Sequence, residues 1–410
     1  MSNAVSFLKY GDVAEFRNGL NFSKDNHGKG CKFIGVADFK DNFTPQWELL
    51  GEINPSGVAR KEDYLESGDL IFVRSNGNKS LVGRSLYIDR NEKSLYSGFC
   101  IRARLKKYDF LPLFLAYYTR TNFFKSAITS VAGTNINNLN QDILGNVMIP
   151  HYSIEIQKSI VDVLSSIDEK IAINNRINAE LEAMAKTLYD YWFVQFDFPD
   201  ANGKPYKTSG GKMEYNAMLK REIPAGWAVN TLSQIANITM GQSPAGESYN
   251  EDGIGTLFFQ GSTDFGWLFP TPRQYTTSPA RMAKKGDILL SVRAPVGDMN
   301  IANADCCIGR GLAALNSKSR SDGFLFYVMK YFKQVFDRRN AEGTTFGSMT
   351  KDDLHSLQVV CPEPGLLKRY DDIVSEYNKM IFTRSLENQD LTKLRDWLLP
   401  LLMNGQITVK

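Results

Sequence analysis

The stretch Ser153–Trp192, SIEIQKSIVDVLSSIDEKIAINNRINAELEAMAKTLYDYW, contains neither proline nor glycine. Its apolar side chains recur at intervals of three and four residues, interrupted by two asparagines: Ile160, Leu164, Ile167, Ile171, Asn174, Asn178, Leu181, Ala185 and Leu188. This alternation predicts one helix of about forty residues, roughly 60 Å long, with a narrow apolar seam. Because a helix of this kind usually pairs with another, we expect a second long helix in the chain.

A second copy of the seam lies near the C-terminus. Aligned with the first copy, it consists of Ile373, Tyr377, Met380, Arg384, Glu387, Leu391, Leu394, Leu398 and Leu401. A strand-like run that ends in proline precedes each copy, Gly145–Pro150 in one case and Leu357–Pro362 in the other. We therefore predict two antiparallel, coiled-coil-like helices, each following its own globular domain.

Shorter motifs recur in the same order and indicate that the globular domains are repeats. Gly68–Arg74 recurs as Gly286–Arg293, Phe114–Tyr117 as Phe324–Tyr327, and Gly133-Thr134 as Gly343-Thr344. In the first domain, Phe99–Leu105 is typical of a strand and Leu111–Ala127 of a helix. The predicted fold class is α+β, with two mixed α/β domains in a pseudo-twofold arrangement. The predicted segments are domain 1 (1–150), helix (151–197), connector (198–225), domain 2 (226–362) and helix (363–405).

Composition narrows the class of protein. The 410 residues carry a net charge of +3, which neither requires nor excludes nucleic acid. No apolar run is long enough for a membrane span and the N-terminus has no apolar signal region, so we expect a cytoplasmic protein without membrane contact. The five cysteines show no C-x-x-C spacing, which favours buried thiols over disulfides or a zinc site. The three histidines are scattered along the sequence, so we predict no metal site.

Signatures of catalysis are absent from the sequence. There is no Pro-Pro pair for an amino-methyltransferase tetrapeptide, no Walker loop and no G-x-S-x-G elbow. Pro199-Asp200 is the only Pro-Asp pair, and no Asp/Glu-x-Lys follows it to complete a nuclease site. We therefore expect a chain without a catalytic centre, metal or cofactor of its own.

Polar and basic loops are the candidate binding elements. Arg and Lys can contact guanine edges or phosphates, and Asn suits adenine, while Ser, Asn and Gly are also the ordinary residues of turns. The same loop positions recur in both repeats with different residues, as expected of one scaffold that reads two different DNA sequences. The predicted DNA-binding residues are Arg74, Ser75, Asn76, Asn78, Lys79, Arg84, Thr134, Asn135, Asn137, Gln242, Ser243, Gln260, Arg273, Arg293, Thr344 and Thr345.

The connector and the helices carry motifs that resemble a known family. These motifs are Phe198–Tyr206, Ser209–Met213, Arg221–Trp227, Leu164–Ile171, Asn174–Asn178 and Tyr191–Val194. They are similar to the segments that join the halves of specificity subunits in type I restriction-modification systems. The likeness covers nearly the whole chain, although the two globular domains match only in layout.

This resemblance implies a non-catalytic subunit that selects double-stranded DNA. Each domain would be a target recognition domain for one half of a split, asymmetric site, and the helices would set the unread spacer. The helices would also dock two methyltransferase subunits that carry S-adenosylmethionine and the adenine chemistry, and restriction (motor-nuclease) subunits would join this core. Outward apolar residues are candidates for the docking: Ile173, Ile177, Met184, Trp192, Ile381 and Trp397. The alternative is a protein–protein scaffold of two β-rich domains on a helical stalk, without DNA binding.

Overall fold

The computed structural model describes residues 6–23, 26–40, 42–78, 81–106, 109–132, 138–341 and 347–409. The chain divides into two compact units, Met1–Ile171 with Asp390–Lys410, and Ala172–Gln389. The units do not end at the predicted domain limits, because each of them also includes part of both long helices.

The first unit is a mixed α/β structure. Its strands are β1 (Ser6–Lys9), β2 (Ala14–Asn18), β3 (His27–Ile34), β4 (Glu52–Ile53), β5 (Leu70–Val73), β6 (Ser85–Tyr87), β7 (Ser94–Tyr96), β8 (Cys100–Leu105) and β9 (Met148–His151). Its helices are α1 (Tyr10–Val13), α2 (Pro112–Tyr118), α3 (Asn122–Ala132), α4 (Gln141–Asn146) and the first part of α5 (Ile154–Tyr189). The strands form an antiparallel sheet β2-β8-β5-β6, a sheet β4-β3-β7 and a pair β1-β9.

The second unit repeats this plan with more strands. Its strands are β10 (Met213–Asn216), β11 (Arg221–Pro224), β12 (Ala228–Thr231), β13 (Ala236–Met240), β14 (Tyr249–Asn250), β15 (Thr256–Phe259), β16 (Gln274–Thr276), β17 (Met282–Ala283), β18 (Ile288–Ser291), β19 (Met299–Ile301), β20 (Cys306–Ile308), β21 (Leu312–Ser317) and β22 (Gln358–Cys361). After the second part of α5 and a π-helical turn (Asp190–Val194), its helices are α6 (Leu232–Ile235), α7 (Asp322–Ala341), α8 (Lys351–His355) and the first part of α9 (Pro364–Met403).

The central sheets of the two units have equivalent strand orders. Sheet β13-β21-β18-β19 corresponds to β2-β8-β5-β6, β15-β20 corresponds to the parallel pair β3-β7, and β12-β22 corresponds to β1-β9. Each of these sheets has a fully buried four-residue strand in its interior: β5 lies between β8 and β6, and β18 lies between β21 and β19. The predicted α+β class with a repeated domain is confirmed.

The recurring Gly-Asp pair is a turn that starts the central strand. Gly68 has a φ of +96°, a left-handed conformation that a side chain would strain. Asp69 is buried, accepts a hydrogen bond from the Glu66 amide (2.8 Å) and receives both Nε and Nη2 of Arg104 (2.8 and 2.7 Å). The hydrogen bonds to Asp69, together with the negative charges of Asp69 and Glu66, raise the pKa of Arg104 above its ordinary value, although burial of the guanidinium acts in the opposite direction.

The second repeat builds the same turn without an ion pair. Gly286 also has a φ of +96°, and Asp287 accepts a hydrogen bond from the Lys284 amide (2.8 Å). The second oxygen of Asp287 accepts from the side-chain amide of Asn316 (2.9 Å) instead of a guanidinium. The turn is therefore conserved between the repeats, while the charge of its partner is not.

Parts of α5 and α9 pack antiparallel in both units. In the first unit Arg395 is ion-paired with Asp168 (2.8 Å), and the Tyr152 hydroxyl donates to the Met403 carbonyl (3.3 Å). In the second unit the Asn178 amide donates to Ser385 (3.3 Å). Residue numbers rise along one helix as they fall along the other, as the sequence predicted.

Asn174 and Asn178 form a polar layer between the helices of the second unit. Both are buried, and Asn174 donates to Glu387 (2.8 Å) and Asn388 (2.9 Å). A buried amide with partners on the facing helix fixes the register of a helix pair, because a slipped pairing leaves it unsatisfied.

The predicted seam on the second helix is wrong at three positions. Ile373, Met380 and Leu394 are 38, 39 and 42% exposed, whereas Val374 and Ile381 are buried. The sequence alignment matched Ile160 with Ile373. When the two helices are instead aligned by the strands that precede them, β9 and β22, Ile160 corresponds to Tyr370. Since apolar positions alternate at three and four residues, a shift of three leaves the pattern nearly unchanged and the error undetected. The remaining seam side chains are buried or half-buried: Ile160, Leu164, Ile167, Ile171, Leu181, Leu188, Tyr377, Leu391 and Leu398.

Two outward apolar residues were also assigned to the wrong face. Trp192 and Ile381 are 6 and 4% exposed and belong to the interior of the second unit. Ile173, Met184 and Trp397 are exposed as predicted, Trp397 to 62%.

The predicted helix at Leu111–Ala127 is instead two helices, α2 and α3. The Thr119 hydroxyl donates to the Ala116 carbonyl (2.8 Å) and the Thr121 hydroxyl to the Tyr118 carbonyl (2.7 Å). Thr121 also accepts from the Phe124 amide (3.2 Å) and so caps α3. These threonine bonds compete with helical ones and end α2, whereas α7 has no threonine and continues for 20 residues.

Candidate nucleic-acid interface

Several predicted binding residues converge at the end of β5 in the first unit. The Arg74 amide donates to the Phe99 carbonyl (2.8 Å), and the Leu139 amide donates to the Arg74 carbonyl (2.8 Å). Ser75 pairs with Asn138, which lies four residues after Thr134 in the sequence. The backbone thus joins residues 74–78, 97–99 and 138–139, which together with 19–22 are called the first strand-end cluster.

A close backbone approach holds the remaining side of this cluster. The Leu20 amide donates to Tyr96 (3.0 Å) and the Gly98 amide donates back to Leu20 (2.9 Å). A Cβ atom on Gly19 would lie 2.2 Å from the carbonyl oxygen of Ser97. Only glycine permits this approach, so the turn at 97–99 is fixed by main-chain contacts.

The second unit contains the equivalent cluster at the end of β18. The Val292 amide donates to Gly311 (2.9 Å), and the Met349 amide donates to Val292 (2.8 Å). Arg293 pairs with Ser348, which lies four residues after Thr344 in the sequence. Residues 241–243, 260, 292–293, 309–311 and 348–349 are called the second strand-end cluster.

Ser243 and Gln260 are brought together in the second cluster. Their side chains are joined by hydrogen bonds of 2.9 and 3.1 Å, and the Arg310 amide approaches Ser243 Oγ at 3.4 Å. The Gln242 amide donates to Ile308 (3.0 Å). A Cβ atom on the preceding Gly241 would lie 2.1 Å from the Gly309 oxygen, so glycine is needed here as at position 19.

The backbone pairing shows that Arg74 and Arg293 are not equivalent, contrary to the sequence alignment. Arg74 occupies the position of Val292, and Arg293 that of Ser75, since Leu139 and Met349 bond to Arg74 and Val292. Successive side chains of an extended segment point to opposite faces, so a shift of one residue changes the face. Val292 is buried, and the first unit therefore places a half-buried arginine where the second has a core residue.

The cationic side chains differ in what they already bind. Within the described residues, Arg74 and the exposed Arg293 and Arg310 have no side-chain hydrogen bond or ion pair. Arg84 instead donates to the Lys40 carbonyl. Arg273 is ion-paired with Asp264 (2.8 Å), and this hydrogen-bonded carboxylate raises the pKa of Arg273 above its ordinary value.

Asn76 has a local structural role, because its side-chain oxygen accepts from the Asn78 amide (2.8 Å) in a tight turn. Six predicted residues lie outside the described part of the chain: Lys79, Thr134, Asn135, Asn137, Thr344 and Thr345. DNA contact therefore stays a prediction for every residue in the set.

Sequence reasoning missed the two turns at the centre of the clusters. Phe99, 58% exposed, was assigned to a strand, and Arg310 was not singled out. The signal available was a glycine turn directly before a buried strand, Ser97-Gly98-Phe99 before β8 and Gly309-Arg310-Gly311 before β21.

The described residues hold neither a metal-ion site nor a helix suited to a membrane. They contain no group of His, Cys, Asp and Glu side chains arranged to hold a metal ion. None of their helices combines the length and the apolar character that crossing a membrane requires.

Comparison with known proteins identifies the family. The family model described as "Type I restriction modification DNA specificity domain" matches residues 4–183 and 224–365. A putative type I restriction enzyme MjaX specificity subunit from Methanocaldococcus jannaschii is 30% identical, covering 97% of this chain and 92% of that protein. The HindI specificity subunit from Haemophilus influenzae is 23% identical, covering 92% of this chain and 94% of that protein.

A solved structure shares the fold. The type I restriction-modification S subunit from M. genitalium has a TM-score of 0.57 and 16% identity, and the match covers 98% of this chain and 97% of that one. Two sequence-matched domains and full-length similarity to specificity subunits favour DNA specificity over the scaffold alternative. The chain belongs to the type I restriction-modification DNA specificity family, as a specificity subunit.

Proposed function

We propose that this chain selects the DNA sequence on which a type I restriction-modification complex acts, and that each strand-end cluster reads one half of a split site. The observation that carries the proposal is the pair of equivalent clusters, in which the same backbone bonds present different side chains. Shared backbone geometry suits the DNA backbone that both half-sites have in common, and differing side chains suit different bases.

The charges of the clusters support DNA as the ligand. Arg74 lies in the first cluster, and Arg293 and Arg310 lie in the second, without partners among the described residues. An unpaired guanidinium can contact a phosphate or the O6 and N7 atoms of guanine without first breaking an ion pair. Arg273, bound to Asp264, and Arg84, bound to the backbone, are weaker candidates for a base contact.

The remaining parts of the proposal concern partners and chemistry. The chain would carry no catalytic centre, and two methyltransferase subunits would supply S-adenosylmethionine and modify adenine in the cytoplasm. Restriction subunits would join this complex. Exposed apolar side chains on the long helices, Ile173, Met184 and Trp397, support docking of partner helices. The long helices would also set the spacer between the half-sites.

The test is a genome-wide map of adenine methylation in a host that expresses this chain with its methyltransferase subunit. The map is repeated after residues 1–150 are exchanged for those of another family member. We expect a split motif of which one half changes and the other, with the spacer, is retained. Methylation at no split motif, despite a stable complex, would overturn the proposal.

A single substitution tests the assignment of Arg74. Arg74→Ala should weaken binding only to duplexes that carry the first half-site, by about 1–3 kcal/mol if the guanidinium contacts a base. An equal loss on all duplexes, with a lower salt slope, would make Arg74 a phosphate contact instead. Arg90→Ala is the control. The start of β6 lies beside the cluster, and Arg90 follows the opposite end of this strand.

A further inference from the structure

Each of the two turns missed by the sequence carries one exposed side chain, Phe99 in the first cluster and Arg310 in the second. Both precede the strand that pairs with the central strand, β8 with β5 and β21 with β18. The carbonyl of Phe99 accepts from Arg74, and the carbonyl of Gly311 accepts from Val292. By this pairing Gly98 and Phe99 occupy the positions of Arg310 and Gly311.

Each turn therefore presents one large side chain and one glycine, in opposite order. Phe99 is 58% exposed in the first unit, and Arg310 is exposed in the second. A phenylalanine gains stability from burial, and Phe99 gains little of it within the unit, so its ring stays accessible to a ligand. Arg310 has no side-chain partner in the part of the chain that the structure describes.

The backbone of the turns is held independently of these side chains. In the first unit the Gly19 amide donates to Cys100 (3.1 Å) and the Phe99 amide to the Ser97 hydroxyl (3.2 Å). In the second the Gly309 amide donates to Phe259 (2.8 Å) and the Gly311 amide to Gln260 (3.1 Å). Removing the Phe99 ring or the Arg310 guanidinium leaves all of these bonds in place.

We propose that these turns enter the major groove, where Phe99 reads a thymine methyl group in the first half-site and Arg310 reads a guanine in the second. An aromatic ring can contact the C5 methyl of thymine, and arginine can donate two hydrogen bonds to O6 and N7 of guanine. This inference rests on the proposed function and adds to it the residues that discriminate bases and the bases they recognise.

The experiment measures binding of the complex with its methyltransferase subunits to duplexes that carry the mapped site. Uracil, which lacks the methyl group, replaces each thymine of the first half-site in turn. 7-Deazaguanine, which lacks N7, replaces each guanine of the second half-site in turn. At one position of each half-site the wild-type complex should lose affinity, by about fourfold for the missing methyl group and by about 10- to 150-fold for the missing hydrogen bond to N7.

The Phe99→Ala complex should bind the original duplex and the duplex with uracil at the sensitive position with equal affinity. The Arg310→Ala complex should likewise bind the original duplex and the duplex with 7-deazaguanine at the sensitive position with equal affinity. Each variant should retain the wild-type response to changes in the other half-site. Leu49→Ala is the matched control for Phe99, because Leu49 is an exposed apolar side chain away from the cluster. Its near neighbour Trp47 hydrogen-bonds to Asp89, which lies beyond the end of the sheet opposite the cluster. Arg320→Ala is the control for Arg310, since Arg320 is exposed beyond the other end of β21.

The outcomes separate this inference from the proposed function. If the wild-type map gives a split motif but both variants keep the wild-type response to every modified base, the turns do not read bases and the inference is overturned. A second half-site without a G·C pair would likewise overturn the role of Arg310. If the wild-type map gives no split motif, the proposed function fails before the variants are measured.

Discussion

Replacing Asp69 and Asp287 by alanine should destabilise the two units unequally. Asp69 accepts one hydrogen bond from the backbone and two from the guanidinium of Arg104. Asp69→Ala therefore removes one of the two carboxylates that pair with this half-buried guanidinium. Hydrogen bonds to charged groups contribute about 1.5–3 kcal/mol, and breaking a fully buried ion pair costs about 3–5 kcal/mol. Arg104 keeps its contact with Glu66 (2.6 Å), so we expect a loss of about 3 kcal/mol.

Asp287→Ala removes hydrogen bonds from two uncharged donors, the Lys284 amide and the Asn316 side chain. The expected loss is about 1.5 kcal/mol, half of that in the first unit. The same substitution at equivalent positions thus isolates the contribution of the charged partner. Glu66→Ala is a further control, because the Glu66 side chain is 63% exposed and an ion pair of this kind contributes at most about 1 kcal/mol.

Hydrogen exchange of the full-length chain, followed by mass spectrometry, reports on each unit separately. If exchange proceeds through unfolding of the unit, Asp69→Ala should accelerate the slowest amides of the first unit about 150-fold. Asp287→Ala should accelerate those of the second unit about tenfold. Equal acceleration by the two variants would refute the argument that the Arg104 charge makes the difference.

Three further substitutions test how the clusters and helices are held. Gly241→Ala places a Cβ atom 2.1 Å from the Gly309 oxygen and should cost about 1–3 kcal/mol in urea unfolding, whereas Gly246→Ala meets no atom within 4 Å and should be neutral. Asn174→Ala removes the two hydrogen bonds to α9 and should speed amide exchange in residues 172–189 by about tenfold, and unchanged exchange would exclude a stabilising polar layer. Thr121→Ala removes the cap of α3 and should lower stability by about 1 kcal/mol; a gain would mean that α2 and α3 fuse into one helix.

The long helices could be predicted because the spacing of their apolar residues is a local property of the sequence. The repeated plan of the units could be predicted because this spacing and several short motifs occur twice. Apolar spacing of three and four residues specifies a helix and its buried face without knowledge of the partner. The same spacing failed to specify the register between the copies, so Ile373 was assigned to the seam in place of its neighbour Val374. Threonine bonds that divide α2 from α3 are also local, but they compete closely with the helical alternative.

The candidate site was predicted in part, and its centre was missed. Arg74 and Arg293 were recognised because each follows an apolar strand directly. Phe99 and Arg310 become neighbours of those strands only through hydrogen bonds between segments distant in sequence, which neither composition nor period reveals. An apolar residue before a strand is ordinarily counted as part of that strand, which is how Phe99 was misassigned.

The main-chain anchoring of the strand-end turns separates positions that must stay fixed from positions that are free to diverge. Alanine at Gly19 or Gly241 would collide with a carbonyl oxygen, so a substitution there should destabilise the turn whatever the target. The side chains of Phe99 and Arg310 contribute little to holding the turns, and replacing them should cost only tenths of a kcal/mol. A lineage under pressure to escape a shared target can therefore explore new residues at these points without losing the folded protein.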